Sequence, residues 1–270
     1  MSPKGINEAG YVSVVQLTDS HLFADQDARL LGLDTFASLE AVIGLALAEV
    51  PVMDLVLATG DITQDATPAA YSRFMDAVGR LPAACHWIPG NHDDAELMRE
   101  LGDASGFSRP WIDSGNWRIV LLDSSIAGAV PGYLRDDQLS ILSEAIESAG
   151  ERHLMVCLHH HPVDIGVDWM QPLGLRNASQ FLEVLKGREQ VKAVLWGHIH
   201  QQLDQQLGNV RMLATPSTCI QFAANSSDFA TDDQQPGYRW LRLYDDGRID
   251  TGISRLAPGR FIPDQGATGY

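Results

Sequence analysis

The 270-residue sequence predicts an α/β fold in which two β-sheets pack together with helices outside them. Three observations carry this expectation. Short apolar runs rich in β-branched residues alternate with amphipathic helical stretches through the first part of the chain, the pattern of an α/β fold rather than of separate all-α and all-β parts. The last part changes to strand-like runs joined by Gly208-Asn209 and Asp246-Gly247 turns. Composition is ordinary for a folded protein at 45% hydrophobic and 20% charged residues, and the length suits one domain over residues 1–270.

Taken in order, the valine-rich run at residues 12–18 is the first strand and residues 35–49 the first helix. A strand follows at 55–59, then a helix at 68–81 that has Thr67 as its N-cap and proline in its first turn. A strand at 86–88, a helix at 95–101, a strand at 117–123, a helix at 137–149 and a strand at 154–158 continue the alternation. After a helix at 178–186 and a strand at 191–196, strands at 203–207, 211–214, 238–244 and 248–254 form hairpins expected to close a second sheet. Residues 225–236 are polar and rich in Asp, Ser and Gln, so they read as a loop, and residues 258–270 as an irregular tail.

Charge narrows the function. A net charge of -16, from 35 acidic and 19 basic residues, repels nucleic acid polymers and acidic membrane surfaces. It allows a small phosphate ester only where bound cations reverse the potential locally. Cys85, Cys157 and Cys219 are widely spaced and form no CxxC pair, which points to reduced thiols in a cytoplasmic protein. No charged leader followed by an apolar run precedes Tyr11, so no signal peptide is expected. The apolar stretch 41–58 is broken by Glu49, Pro51 and Asp54 and is no membrane span.

Metal-competent residues gather where the strands end, which is where open α/β sheets present ligands. The first strand runs into Asp19-Ser20-His21, the second into Gly60-Asp61 and the third into Gly90-Asn91-His92-Asp93. Later strands run into His159-His160-His161 and Gly197-His198-Ile199-His200. Alone, Gly-Asp is common turn chemistry and Asn91 an ordinary Asx-turn residue. Three adjacent imidazoles after an apolar strand have little packing use, and the GHIH pair can converge if the backbone bends at its glycine. Asp19, His21, Asp61, Asn91, a histidine of the 159–161 run, His198 and His200 make seven donors, too many for one tetrahedral ion but suited to two ions bridged by a carboxylate. Imidazole with carboxylate and amide oxygen favours iron, manganese, zinc or cobalt over calcium or copper.

The ordered series DSH, GD, GNHD, HHHP and GHIH resembles the calcineurin-like metallophosphoesterases over residues 12–200. A closer likeness, to the bacterial class III cyclic AMP phosphodiesterases, lies in QLTDSHLF, LLGLDT, ATGDITQD, WIPGNHD, LHHHPVD, LRNA, GHIHQQLD and LATPSTCIQF, ending at Phe222. The resemblance implies an αββα sandwich of two mixed sheets and a binuclear centre. It implies that Asp19, His21 and His200 hold one divalent ion, that Asn91, His159 and His198 hold the other, and that Asp61 bridges. Iron or manganese is the first expectation, with zinc and cobalt also compatible. His21, Asp61, Asn91, His92 and His200 are expected to contact the substrate, with His92 and Asp61 catalytic.

The implied reaction is hydrolysis of 3′,5′-cyclic AMP to 5′-AMP by a metal-bridging hydroxide. The expelled ribose oxygen needs a proton, and His92, beside Asn91 but not required as a ligand, can supply it. Asp93, or less readily Asp61, is expected to hold the other ring nitrogen of His92. Residues 173–177 and 215–222 are candidate lining for the base. Competing readings are a diesterase for glycerophosphodiesters or linear nucleotides, a non-catalytic scaffold of the same fold, and a non-haem iron redox protein. Completeness of the donor set argues against the scaffold, and the iron reading leaves Asn91 and the GHIH pair unexplained. The oligomeric state is not legible.

Overall fold

A computed structural model describes residues 10–264 and 266. The leader expectation and the last part of the tail expectation therefore fall on residues outside those described. In chain order the elements begin with β1 (Tyr11–Leu17), α1 (Thr35–Glu49), β2 (Leu55–Thr59), α2 (Pro68–Val78), β3 (Ala84–Ile88), α3 (Ala95–Ser105), β4 (Trp111–Ser114) and β5 (Trp117–Leu121). They continue with α4 (Asp136–Glu147), β6 (His153–Cys157), α5 (Ala178–Leu185), β7 (Val191–Trp196), β8 (Leu203–Leu207) and β9 (Val210–Ala214). β10 (Gln221–Phe222), β11 (Thr231–Asp232), β12 (Gly237–Tyr244) and β13 (Ile249–Arg255) follow, and a 3₁₀ turn at Gln171–Leu173 lies between β6 and α5.

Among the described residues two mixed sheets result, ordered β13-β12-β1-β2-β3 and β4-β5-β6-β7-β9-β8, beside a two-stranded antiparallel pair β10-β11. The period-two pattern of each strand explains why they stack. Val12, Val14, Leu55 and Leu57 of the first sheet meet Ile119, Met155, Cys157 and Leu195 of the second in one buried cluster. Their alternate neighbours Val15, Leu17, Val56, Val120, Val156 and Val194 join a second cluster on the helix-facing sides, with Val42, Phe74, Leu142 and Phe181 of the helices. The sandwich is α/β/β/α, as the family resemblance implies.

The two hairpins part company with expectation. They do not close a sheet of their own: β12 pairs with β1 and adds β13 to the first sheet, whereas β9 pairs with β7 and adds β8 to the second. Local turn chemistry identifies a hairpin but carries no information about the distant strand it joins. β4 went unread because four residues show too little alternation, and β11 lies inside the segment expected to be a loop. α3 continues past Gly102 and stops at Gly106, where φ is 85°. Gly102 is inside the helix because a Cβ there would strike Ser108 and the Trp87 indole. Thr67 caps α2 as expected, accepting from the Ala70 amide.

Candidate metal centre

β1, β2 and β3 run parallel, as do β5, β6 and β7, so the loops leaving β1, β2, β3, β6 and β7 can converge on one rim. Backbone geometry there is unusual. Asp19, His21, Asp61, His198 and His200 have φ of 56°, 46°, 47°, 65° and 50°, in the left-handed region that non-glycine residues seldom occupy. Each such residue costs of the order of 1–3 kcal/mol and persists only where its surroundings dictate the conformation. The surroundings do so here. The Asp19 and His21 amides donate to the Gly60 and Asp61 carbonyls at 3.0 and 2.9 Å, the His198 amide to both Asp19 carboxylate oxygens at 3.0 and 3.1 Å, and the His92 amide to Asp61 Oδ1 at 2.8 Å.

The GHIH segment turns at the two histidines rather than at the glycine expected to bend. Gly197 is needed for space, since a Cβ there would lie 2.1 Å from Thr18 Oγ1 and 2.6 Å from Asp19 Oδ2. Gly60 combines both demands, with φ of 97° and the His159 ring 2.3 Å from where its Cβ would be.

Four rings are oriented by one nitrogen each. His159 Nδ1 lies 2.8 Å from the Thr59 carbonyl, His200 Nδ1 2.8 Å from the Ile220 carbonyl, His198 Nε2 3.1 Å from the Leu173 carbonyl and His21 Nδ1 2.7 Å from Gln64 Oε1. An oxygen acceptor requires the proton on the facing nitrogen, so the opposite nitrogen of each neutral ring carries the lone pair. His21 Nε2 and His200 Nε2 then face each other at 3.2 Å, and only a shared proton or a cation relieves that approach. His200 Nε2 is 3.4 Å from Asp19 Oδ1, and His21 Nε2 is 3.8 Å from Asp61 Oδ2. His159 Nε2 lies 3.2 Å from Asp61 Oδ2 and 4.0 Å from Asp19 Oδ1 without hydrogen-bond geometry to either. Asn91 Oδ1 is buried with no hydrogen-bond partner.

Donor atoms group within 4.8 Å of one another as Asp19/His21/His200, His21/Asp61/His92, Asp19/Asp61/His159 and His159/His160/His198. These sets fit divalent ions by their chemistry; His159, whose buried Nε2 has no hydrogen bond, belongs to two of them, and the Asn91 oxygen is likewise unpartnered among the described residues. His160 is close enough for the last set but has both nitrogens engaged, Nδ1 with Ser124 Oγ at 2.8 Å and Nε2 with the Val130 carbonyl at 2.9 Å. His161 stacks on His198 with ring centres 5.7 Å apart.

Burial lowers His21 to about 3 and His161 to about 4, and holds His160 and His198 well below the usual imidazole range. For His159 burial is outweighed by the Asp61 and Asp19 carboxylates, which raise it to about 9. Burial would raise Asp61, but the facing His159 charge holds it well below the usual carboxylate range.

Asp93 has a use the sequence left unseen. Its carboxylate accepts from the Ile62, Thr63 and Gly90 amides at 3.1, 3.1 and 2.9 Å and from the Tyr71 hydroxyl at 3.1 Å, tying the loop after β2 to the loop after β3. Burial, then the neighbouring Asp61 charge, pushes that carboxyl up to about 6. Gln64 is likewise a functional partner that sequence reasoning missed, although it sits inside the ATGDITQD block.

A cavity of about 290 Å³ opens beside the donors, with Asp61, Asn91, His92 and His198 on its wall. Of the segments expected to line a base site, Leu173 and Phe222 do so. Arg176 is exposed, and Asn177 instead bonds both backbone groups of Leu134.

A family profile described as calcineurin-like phosphoesterase matches residues 12–202. The chain is 54% identical over 259 residues, 96% of its length and 95% of the other's, to a Pseudomonas aeruginosa protein named 3′,5′-cyclic adenosine monophosphate phosphodiesterase CpdA. An Escherichia coli K12 protein of the same name is 42% identical over 262 residues, covering 96% of this chain and 95% of that one. Among solved structures, a dimetal phosphatase from Danio rerio superposes with a TM-score of 0.65 at 16% identity, over 91% of this chain and 99% of that one.

Proposed function

The chain belongs to the calcineurin-like phosphoesterase family, and from that premise we propose that it hydrolyses 3′,5′-cyclic AMP to 5′-AMP with two divalent cations. The observation that carries the chemistry is the position of Asp61, within reach of His21 and His92 on one side and of Asp19 and His159 on another. Asp19, His21 and His200 would hold one ion, Asn91, His159 and His198 the other, with Asp61 shared. The ring orientations support Nε2 of His21, His159 and His200 and Nδ1 of His198 as the atoms that would face the ions. Iron or manganese is the first choice, and zinc or cobalt suits the same donors. When bound, such a pair neutralises the charge of the diester and acidifies water, so that hydroxide is available as the nucleophile at neutral pH.

The chain's own residues supply the rest. Asn91, His92 and Asp61 line the cavity, where the phosphate would meet them. His92 lies edge-on to His21 with ring centres 4.9 Å apart, and its backbone amide is anchored to Asp61. A bond forms from hydroxide oxygen to phosphorus, the bond from phosphorus to O3′ breaks, and His92 gives its proton to O3′. The choice of cyclic AMP rests on the full-length relatives, with the small cavity and the acidic surface in support.

No helix among the described residues is long and apolar enough to cross a membrane. A cytoplasmic setting is part of the proposal, supported by the free, buried thiols of Cys85, Cys157 and Cys219.

The test uses metal-stripped protein reloaded separately with iron, manganese and zinc, then assayed on cyclic AMP, cyclic GMP and a linear diester with products identified. Release of 5′-AMP in preference to the other products is expected. Hydrolysis of the linear diester alone would overturn the substrate, and inactivity with every metal would overturn the chemistry.

A further inference from the structure

The cavity beside the donors has two unlike walls. One carries Asp61, Asn91, His92 and His198; the other carries Trp169, Phe222 and Phe229. The three rings interlock edge to face: Trp169 and Phe222 centres are 5.3 Å apart at 72°, Trp169 and Phe229 5.3 Å at 68°, and Phe222 and Phe229 5.4 Å at 66°. Phe222 also lies parallel to the His200 ring, 4.1 Å away at 5°, which couples this wall to the donor cluster.

A purely structural role for the trio has to be weighed first, because interlocked aromatics are commonly core. Trp169 comes from the connection between β6 and α5, and Phe229 from the connection between β10 and β11. Both are only partly buried, unlike Phe222. Trp169 Nε1 is moreover buried without a hydrogen-bond partner, although indole N–H groups removed from water normally have one. Trp196 Nε1 shares that condition, but its ring is wholly buried in the helix-facing core. At Trp169 the ring lines the cavity, while its nitrogen lies beneath that wall.

A flat heterocycle joined to a phosphate answers both walls, the rings on one side and the polar donors on the other. We propose that Trp169, Phe222 and Phe229 form the platform that takes the purine base. The inference deepens the cyclic nucleotide reading and rests on it. The size agrees: about 290 Å³ lies at the lower edge of the ~300–1,000 Å³ typical of small-ligand sites, room for one nucleotide.

Phe222 is a poor probe because changing it would also release the His200 ring, so Trp169 and Phe229 are the residues to vary. The substrates are cyclic AMP and a 3′,5′-cyclic ribose phosphate bearing a methyl group in place of the base, both with metal-reloaded protein. Trp169→Leu and Phe229→Leu should each raise KM for cyclic AMP about tenfold, within the range expected for loss of one base–aromatic contact, while kcat changes less than about threefold. Trp169→Phe, which keeps an aromatic ring, should raise it less than Trp169→Leu does. All three should leave the baseless ester unaffected. By calorimetry, 5′-AMP should bind the two leucine variants about tenfold more weakly, with ribose 5-phosphate binding unchanged. An unchanged KM for cyclic AMP, or an equal rise for both esters, would overturn the platform. Failure of the wild-type protein to hydrolyse either ester would overturn the catalytic reading, and 5′-AMP binding that still weakened in Trp169→Leu would uphold the platform on its own.

Discussion

Two buried polar regions share Thr59 and differ in how completely their groups are paired. Between the sheets, Arg239 is 2% exposed, and its guanidinium donates to Thr215 Oγ1, Thr251 Oγ1 and the carbonyls of Leu203 and Ala214 at 3.1, 3.2, 3.2 and 2.7 Å. Thr215 in turn donates to Gln16 Oε1, and Gln16 Nε2 donates to Thr59 Oγ1 and the Trp196 carbonyl. At the strand exits the backbone is strained and Asn91 Oδ1 and His159 Nε2 stay orphaned, even though His159 Nδ1 is held by the Thr59 carbonyl. A network in which every side-chain nitrogen and oxygen has a partner braces the sandwich. A cluster that anchors each ring by one nitrogen and leaves the other facing its neighbours is built to receive something.

The comparison is tested most severely at Asp61. Asp61→Asn should lose metal from both positions, and kcat should fall by ~10³-fold or more, of the order of 4 kcal/mol in barrier. The metal-free variant should stay within about 2 kcal/mol of wild type in denaturant unfolding. Metal analysis showing two equivalents retained would remove Asp61 from the shared position. His92→Ala should keep both metals yet slow turnover by roughly 10²-fold or more. Full turnover in the metallated variant would exclude His92 as the proton donor.

The braced region should respond the other way round. Arg239→Leu removes the hydrogen bonds to the carbonyls of Leu203 and Ala214 and to two threonine hydroxyls, and should cost about 3 kcal/mol of stability in chemical denaturation. Its kcat per metal-loaded molecule should remain within about twofold of wild type, since no donor of the site is touched. A large fall in kcat with intact stability would erase the distinction between the two regions. The smallest effect is expected at Thr67→Ala, which removes the α2 cap and should cost about 1 kcal/mol with unchanged activity in both melting and kinetic measurements.

What was legible in the sequence is what local chemistry dictates. The bounds of α1, β2, β7 and β8 follow from capping residues, apolar periodicity and turns, and the donors stand out because Asp, Asn and His at strand ends have no packing reason to be there. What was illegible depends on distant or backbone partners. The carbonyls of Thr59, Leu173 and Ile220 that orient the rings carry no side-chain signature. Asp93 resembled a partner for its neighbour His92, whereas its carboxylate joins two loops. The sheet each hairpin enters is set by pairing with strands far away in the chain, and Phe229 was hidden in a polar segment whose one ring meets the cavity only after folding.

The central claim is that one carboxylate is shared by two cations. Anomalous scattering from crystals of manganese-reloaded protein tests it directly. Two peaks ~3.5–4 Å apart should flank the Asp61 carboxylate, one against Nε2 of His21 and His200, the other against Asn91 Oδ1 and His198 Nδ1. A single peak, or two peaks of which only one touches Asp61, would contradict it.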